Sequence, residues 1–127
     1  MAEPSQTVLV VGDDPPLSSV IAYAFPDGVA VSFAEDAREA LLLMRETTPS
    51  VVIMEIRTGS AGGYGLSRDM VANDRLRNVP RFILLERPQD SWLAKQAGAT
   101  LCRVMPIPND ELVEEALALV SGETSSH

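Results

Sequence analysis

The chain has 127 residues, 46% of them hydrophobic, and this size and composition suit one compact domain with a real core. A net charge of −8, from 18 acidic and 10 basic residues, argues against nucleic-acid binding, which depends on clustered Lys and Arg. There is neither a signal-peptide pattern nor an apolar run of the roughly 20 residues that cross a bilayer, so we expect a cytoplasmic protein without membrane insertion.

Short apolar runs rich in β-branched residues alternate along the chain with segments of helical periodicity. The runs predict five strands, at residues 7–11, 29–33, 51–55, 81–85 and 100–105. The other segments predict five helices, one ending at about residue 24 and the others at about 35–46, 64–76, 90–98 and 109–120. In the second helix, Ala37, Ala40, Leu41 and Met44 recur at helical spacing. We expect Gly98 to end the fourth helix and Asn109 or Asp110 to cap the fifth.

Alternating strands and helices predict a three-layer α/β sandwich, with a five-stranded parallel sheet between two layers of helices. The domain should span residues 7–121, with an N-terminal extension at 1–6 and a flexible tail at 122–127. In such sheets, sites lie outside the carboxyl ends of the strands. The residues expected there are Gly12, Asp13, Asp14, Glu55, Arg57, Glu86, Arg87, Met105 and Pro106.

Five stretches together resemble the receiver domains of two-component response regulators, of the chemotaxis-receiver type, over nearly the whole chain. They are "VLVVGDDP", "PSVVIMEIRTGSAGGYGL", "NVPRFILLE", "AGA" and "MPIPNDEL". The resemblance implies a flavodoxin-like receiver fold with strand order 2-1-3-4-5. It also implies the family's chemistry, in which a sensor kinase transfers a phosphoryl group to an aspartate at the end of the third strand, with Mg²⁺ bound beside it.

This sequence departs from the family at most of the positions that carry this chemistry. The first metal-binding acid is replaced by Gly12, which leaves Asp13 as the metal-type acid with Asp14 beside it. The other family positions hold Glu55 (phosphoacceptor), Glu86 (hydroxyl), Arg87 (small residue), Met105 (lysine) and Cys102 (switch aromatic). Only the proline after the lysine position, Pro106, matches cleanly.

These replacements oppose phosphoryl transfer. Glu55 is one methylene longer than aspartate, so its carboxylate extends into the space of the incoming phosphoryl group and its nucleophilic oxygen leaves the in-line position. Glu86 sets like charges against each other, and Met105 removes the cation that would offset the developing charge. We therefore predict a pseudo-receiver that does not run the phosphorylation cycle, and we expect no enzyme activity.

The predicted pocket is an acidic cluster of Asp13, Asp14, Glu55 and Glu86, which is costly to bury unless its charges are paired. One hypothesis is that Arg57 and Arg87 pair with the glutamates and lock the switch in one state. The alternative is a solvated acidic rim with weak surface pairs. A weaker hypothesis is a residual Mg²⁺ site on Asp13, Glu55 and the carbonyl of Arg57. No other cofactor is expected.

We expect the output to be binding to a protein partner, through the face made by the fourth helix, the fifth strand and the fifth helix, or formation of a homodimer. The fourth-helix segment counts about three residues shorter than is usual in the family, and Trp92 on it is a candidate interface anchor. Cys102, the only cysteine, allows no internal disulfide. Two alternative functions stay open: a phosphate- or Mg²⁺-responsive switch, and a flavodoxin-like module that binds a small molecule.

Overall fold

A computed structural model of the chain describes residues 6–12, 23–26, 28–56 and 62–121. Within them, five parallel strands form one sheet: β1 (Gln6–Val11), β2 (Val29–Ala34), β3 (Val51–Ile56), β4 (Arg81–Leu85) and β5 (Leu101–Val104). Their order across the sheet is β2-β1-β3-β4-β5. The predicted parallel α/β fold and strand order are confirmed, and every strand boundary lies within one residue of the predicted one.

Four α-helices lie wholly within the described residues: α1 (Ala37–Glu46), α2 (Gly62–Ala72), α3 (Ser91–Gln96) and α4 (Asn109–Ser121); a 3-10 helix (Pro88–Asp90) directly precedes α3. None of them is long and apolar enough to cross a membrane. The helix predicted between β1 and β2 falls largely on residues 13–22, outside the described residues, but Tyr23 and Ala24 at its predicted end are helical. Most of the expected N-terminal extension and the whole expected tail also lie outside the described residues.

The helix predicted at residues 64–76, which is α2, ends earlier than predicted because Asn73 starts a turn. The Asn73 carbonyl accepts hydrogen bonds from the N–H groups of Leu76 and Arg77 at 3.0 and 2.9 Å. Its side-chain oxygen accepts a third from the N–H of Arg75 at 2.8 Å. Short polar side chains such as asparagine offer the backbone an alternative to helical bonding in this way. The prediction that this helix reaches Leu76 is therefore wrong, and α2 stops at Ala72.

The start of the last helix also differs from the prediction. Asn109 is already the first residue of α4, and the N–H of Leu112 donates to the carbonyl of Pro108 at 3.0 Å. Pro108 therefore takes the cap position, and the prediction of Asn109 or Asp110 as the cap is wrong. Asp110 lies instead in the first turn, where its negative charge suits the positive end of the helix dipole.

Two apolar clusters, one on each face of the sheet, complete the three predicted layers. On one face, strand residues pack against α1, α2 and α3, which contribute Ala40, Met44, Leu66, Met70 and Ala94. On the other face, strand residues including Ile53 and Phe82 pack against α4, which contributes Leu112, Val113, Ala116 and Leu119. Burial of Ala40 and Met44, with Ala37 and Leu41 beside them, confirms the predicted apolar face of α1.

Gly98 follows α3 in a backbone conformation that other residues adopt only with strain. Its φ is +95°, and a Cβ there would lie 2.5 Å from Cγ2 of Val71. We expect Gly98→Ala to lower the free energy of unfolding, measured by urea denaturation, by about 1–3 kcal/mol. Gly65→Ala is the matched control, because Gly65 lies within α2 and a Cβ there meets nothing within 4 Å. It should be neutral or stabilising by up to about 1 kcal/mol. Equal losses in both variants would contradict this explanation.

Candidate functional site

The register between β1 and β3 places Gly12 beside Glu55. Val11 is paired with Met54, and the next residue of each strand continues that register. The N–H of Gly12 donates to the carbonyl of Ala34 at 2.9 Å, which holds the end of β1 in place. A Cβ on Gly12 would lie 3.2 Å from both Cβ and Oε1 of Glu55. The half-buried Glu55 side chain therefore borders the space that an acidic side chain at position 12 would need.

Glu86 and Met105 follow β4 and β5 at the same edge of the sheet. Leu85 pairs with Val104, and its carbonyl accepts a hydrogen bond from the N–H of Met105 at 2.7 Å. Glu86 is exposed, whereas Met105 packs against the apolar cluster that α4 covers. The peptide bond that follows Met105 is cis. At the position where the family has its lysine, this chain thus has an apolar side chain that packs against the core.

Arg87 forms an ion pair with Asp90, in the turn that leads into α3. Its Nε donates to Oδ2 at 3.2 Å and its Nη2 donates to Oδ1 at 3.0 Å. These hydrogen bonds, together with the charges of Asp90 and Glu86, raise the pKa of Arg87. The Arg87 side chain is 50% exposed and that of Asp90 only 14%. Arg87 thus has an aspartate of the following turn as an ion-pair partner, and its expected pairing with a glutamate stays a prediction.

Three predicted site residues, Asp13, Asp14 and Arg57, lie outside the described residues. The pairing of Arg57 and the full acidic cluster accordingly stay predictions. Within the described residues, no three His, Cys, Asp or Glu side chains come together in a way that could hold a metal ion. Of the hypothesised Mg²⁺ ligands only Glu55 lies in the described residues, and Gly12 beside it offers no side-chain oxygen, so the Mg²⁺ site stays a prediction.

Comparison by sequence finds a similar protein of nearly the same length. No family model matches the chain. The protein PilH of Pseudomonas aeruginosa is 24% identical over 119 residues, which cover 91% of this chain and 98% of PilH. The similarity therefore spans both proteins almost end to end.

Comparison by structure finds many receiver domains. The receiver domain of a histidine kinase from Syntrophus aciditrophicus has a TM-score of 0.83 at 22% identity, covering 97% of this chain and 96% of that one. The chemotaxis response regulator CheY4 of Vibrio cholerae has a TM-score of 0.80 at 22% identity, covering 90% and 98%. The receiver domain of the sensor kinase PA1611 of Pseudomonas aeruginosa, with magnesium in its active-site cleft, has a TM-score of 0.80 at 24% identity, covering 94% and 99%. The chain has the receiver fold.

In this receiver fold, Tyr64 of α2 and Cys102 of β5 pack against the same apolar cluster. Burial is the largest cause that raises the pKa of Tyr64; the charges of Asp90 and Cys102 raise it further, and that of Arg87 opposes them. The hydroxyl oxygen of Tyr64 is buried and has no hydrogen-bond partner among the described residues. An aromatic ring from α2 thus lies in the same cluster as the small side chain at the switch-aromatic position.

Sequence reasoning missed Tyr64. The stretch "GSAGGYG" indicated a turn followed by a helix, and nothing in it indicates contact with a cluster shared by β5. A usable signal was the combination of an aromatic residue in the first turn of α2 with Cys102 at a position where an aromatic residue was expected.

Replacing Tyr64 tests the cost of its buried hydroxyl. We expect Tyr64→Phe to raise the free energy of unfolding by about 1 kcal/mol at neutral pH, because it removes a buried polar group that lacks a partner. Tyr23→Phe is the matched control: Tyr23 is 90% exposed, and its loss should change little. Denaturant titrations of the three proteins measure the difference. A destabilised Tyr64→Phe variant would show that the hydroxyl has a stabilising partner.

The stability difference between the wild type and Tyr64→Phe should depend on pH. Because the pKa of Tyr64 is raised in the folded state from its ordinary value of 10.0, the folded chain holds this proton more tightly than the unfolded chain. The stabilisation that comes from keeping this proton bound is complete below pH 10. It is lost as the pH rises towards the folded-state pKa. Tyr64→Phe should therefore lose less stability than the wild type above about pH 10.

Proposed function

We propose that the chain is a pseudo-receiver: a module of two-component signalling that works by protein–protein association, independently of phosphorylation. The observation that carries this proposal is the arrangement of Gly12 and Glu55. Position 12 has no carboxylate, and a Cβ there would already be 3.2 Å from the Glu55 carboxylate oxygen. The edge at which the family binds a metal and accepts a phosphoryl group is thus occupied by one long carboxylate.

The electrostatics of the neighbouring strands support the same proposal. Phosphoryl transfer develops negative charge that must be offset by cations and hydrogen-bond donors. Glu86 adds negative charge where a hydroxyl donor would serve, and Met105 packs against the core where a lysine would supply positive charge. Arg87, which follows Glu86 directly in the sequence, forms an ion pair with Asp90. None of these side chains is suited to stabilise a phosphoryl group.

The second candidate function is a switch that still responds to phosphate or magnesium. The magnesium ion in the cleft of the PA1611 receiver domain, which is 24% identical, is the observation that favours it. In this chain a comparable site would depend on Asp13 together with Glu55. The two candidates differ in whether the chain takes up a phosphoryl group.

Labelling with a small phosphodonor separates the two candidates. We expect the wild-type chain incubated with acetyl phosphate and Mg²⁺ to show no phosphoryl adduct in intact-mass spectrometry. A combined Gly12→Asp/Glu55→Asp/Glu86→Thr/Met105→Lys variant restores the family's residues at the four positions closest to the chemistry, leaves Arg87 and Cys102 unchanged, and is the positive control. A wild-type adduct that Glu55→Gln abolishes would overturn the pseudo-receiver proposal.

An amide NMR titration with Mg²⁺ and then beryllofluoride, a phosphoryl mimic, tests whether the site responds to these ligands, and it requires no substitution. Unchanged resonances of Glu55 and α3 support the proposal, and joint saturable shifts contradict it.

The surface proposed for the partner is the face of α3, β5 and α4. On α3, Trp92 is 64% exposed and Leu93 is 40% exposed, and exposed tryptophans are often the anchors of interfaces. Beside them, Arg103 of β5 forms ion pairs with Glu111 and Glu115 of α4. The face therefore combines exposed apolar groups with charges that are already paired. We place the module in the cytoplasm, with a protein partner or a second copy as its ligand.

A photo-crosslinking amino acid tests this face. We expect the crosslinker at position 92 to give covalent adducts in cells that express the protein, because the proposed partner covers Trp92. The control position is Leu42, which is 51% exposed but lies on α1, outside the face. An adduct of twice the chain's mass identifies a homodimer. Adducts at position 42 but not at 92 would place the interface elsewhere.

A further inference from the structure

A cleft of about 840 Å³ lies at the amino ends of the strands, at the opposite edge of the sheet from Gly12 and Glu55. Its wall includes Gln6 at the start of β1, Ser50 just before β3, Arg81 at the start of β4 and Thr100 just before β5. We call it the basic cleft, because Arg75, Arg77 and Arg81 all line it. It takes no part in the proposed function above.

The charge of the basic cleft is opposite to that of the chain. The cleft is lined by three of the ten basic residues of a chain whose net charge is −8. Among the described residues that line it there is no Asp or Glu. Asp74, outside the lining, lies 3.5 Å from Arg77, but its side chain is 94% exposed, so this pair contributes little. An anionic group in the cleft would therefore meet three arginines and, among the described lining residues, no acidic side chain.

The three arginines are held to different degrees. Arg81 is anchored: its Nε donates to the carbonyl of Gly98 at 2.7 Å, and its Nη1 donates to the carbonyls of Val79 and Arg77 at 2.7 and 3.1 Å. Arg75 donates through Nε to the hydroxyl of Thr48 at 3.1 Å. Within the described residues, the Nη groups of Arg75 have no hydrogen-bond partner. Arg81 thus shapes the cleft, while Arg75 and Arg77 present donors to it.

The rest of the lining suits a peptide that carries carboxylates. Guanidinium groups bind carboxylates through paired N–H donors, and the side chains of Ser50, Asn78 and Thr100 add further polar contacts. Leu119 and Val120 supply an apolar wall. The cleft is open to solvent and does not enclose a ligand, whereas small-molecule sites bury most of the ligand's surface. We propose that the basic cleft binds an extended acidic peptide segment of a partner protein.

Selection from a random peptide library tests this proposal on the intact chain. The peptides enriched on the wild-type protein should be rich in Asp and Glu, and the strongest of them should shift the amide resonances of Ser50, Asn78 and Thr100 saturably. Arg75→Gln/Arg77→Gln should weaken its binding about tenfold or more, and added salt should weaken binding to the wild type. Arg81 is left unchanged because it bonds three carbonyl groups of the fold.

Arg38→Gln/Arg68→Gln is the matched control, because it removes the same charge from two exposed positions outside the cleft. It should bind the selected peptide as the wild type does. The proposal is overturned if no acidic peptide is enriched, if the control variant loses binding equally, or if the peptide shifts only residues elsewhere. Sodium phosphate that shifts the same amides as strongly as the peptide would show a simple anion site instead. Sedimentation showing a dimer that Arg75→Gln/Arg77→Gln abolishes would assign the cleft to a second copy.

Discussion

The parallel register of β1 and β3 is the constraint on which the site depends. It is set by pairs such as Val11 with Met54, in which both residues are buried, and a slip by one residue would turn each strand's apolar side chains to the wrong face. The core therefore determines that Gly12 and Glu55 are neighbours. Once they are, a carboxylate at either position affects what the other can hold, and the chemistry of this edge follows from packing below it.

The same parallel arrangement gives the molecule two edges of different charge. All carboxyl ends lie at one edge, where Glu55 and Glu86 are found, and all amino ends lie at the other, where Arg75, Arg77 and Arg81 line one cleft. Away from this cleft, Arg87 is paired with Asp90, and Arg103 is paired with Glu111. Among the described residues that line the basic cleft there is no Asp or Glu, although Arg77 is near the exposed Asp74. A receiver fold can in this way carry a second recognition surface far from the edge that the family uses.

The sequence predicted the strands well because each is a short apolar run whose burial leaves little choice. Helix ends were harder to predict. α2 stops at Ala72 because hydrogen bonds to Asn73 form a turn instead of a further helical turn, and the spacing of apolar residues does not indicate this. Neighbours at the site followed from topology, so Gly12 beside Glu55 was within reach of sequence reasoning. Two other features depend on where side chains lie in three dimensions, which spacing along the chain does not encode. One is the pairing of Arg87 with Asp90. The other is the packing of Tyr64 in the cluster that also contains Cys102.

The departures from the family's chemistry are coupled to one another. An acid at position 12 alone would place a second carboxylate in contact with Glu55, and the repulsion would oppose the ionised form of both groups. An aspartate at position 55 alone would still lack its acidic neighbour. A lysine at position 105 would have to leave the apolar cluster against which Met105 packs or bring its charge towards it, which is costly. Effects at residues in direct contact are not additive, so we expect that no single substitution gives this edge phosphoryl chemistry. That coupling is the physical basis of the proposed pseudo-receiver state, because each replacement removes the condition under which restoring another would help.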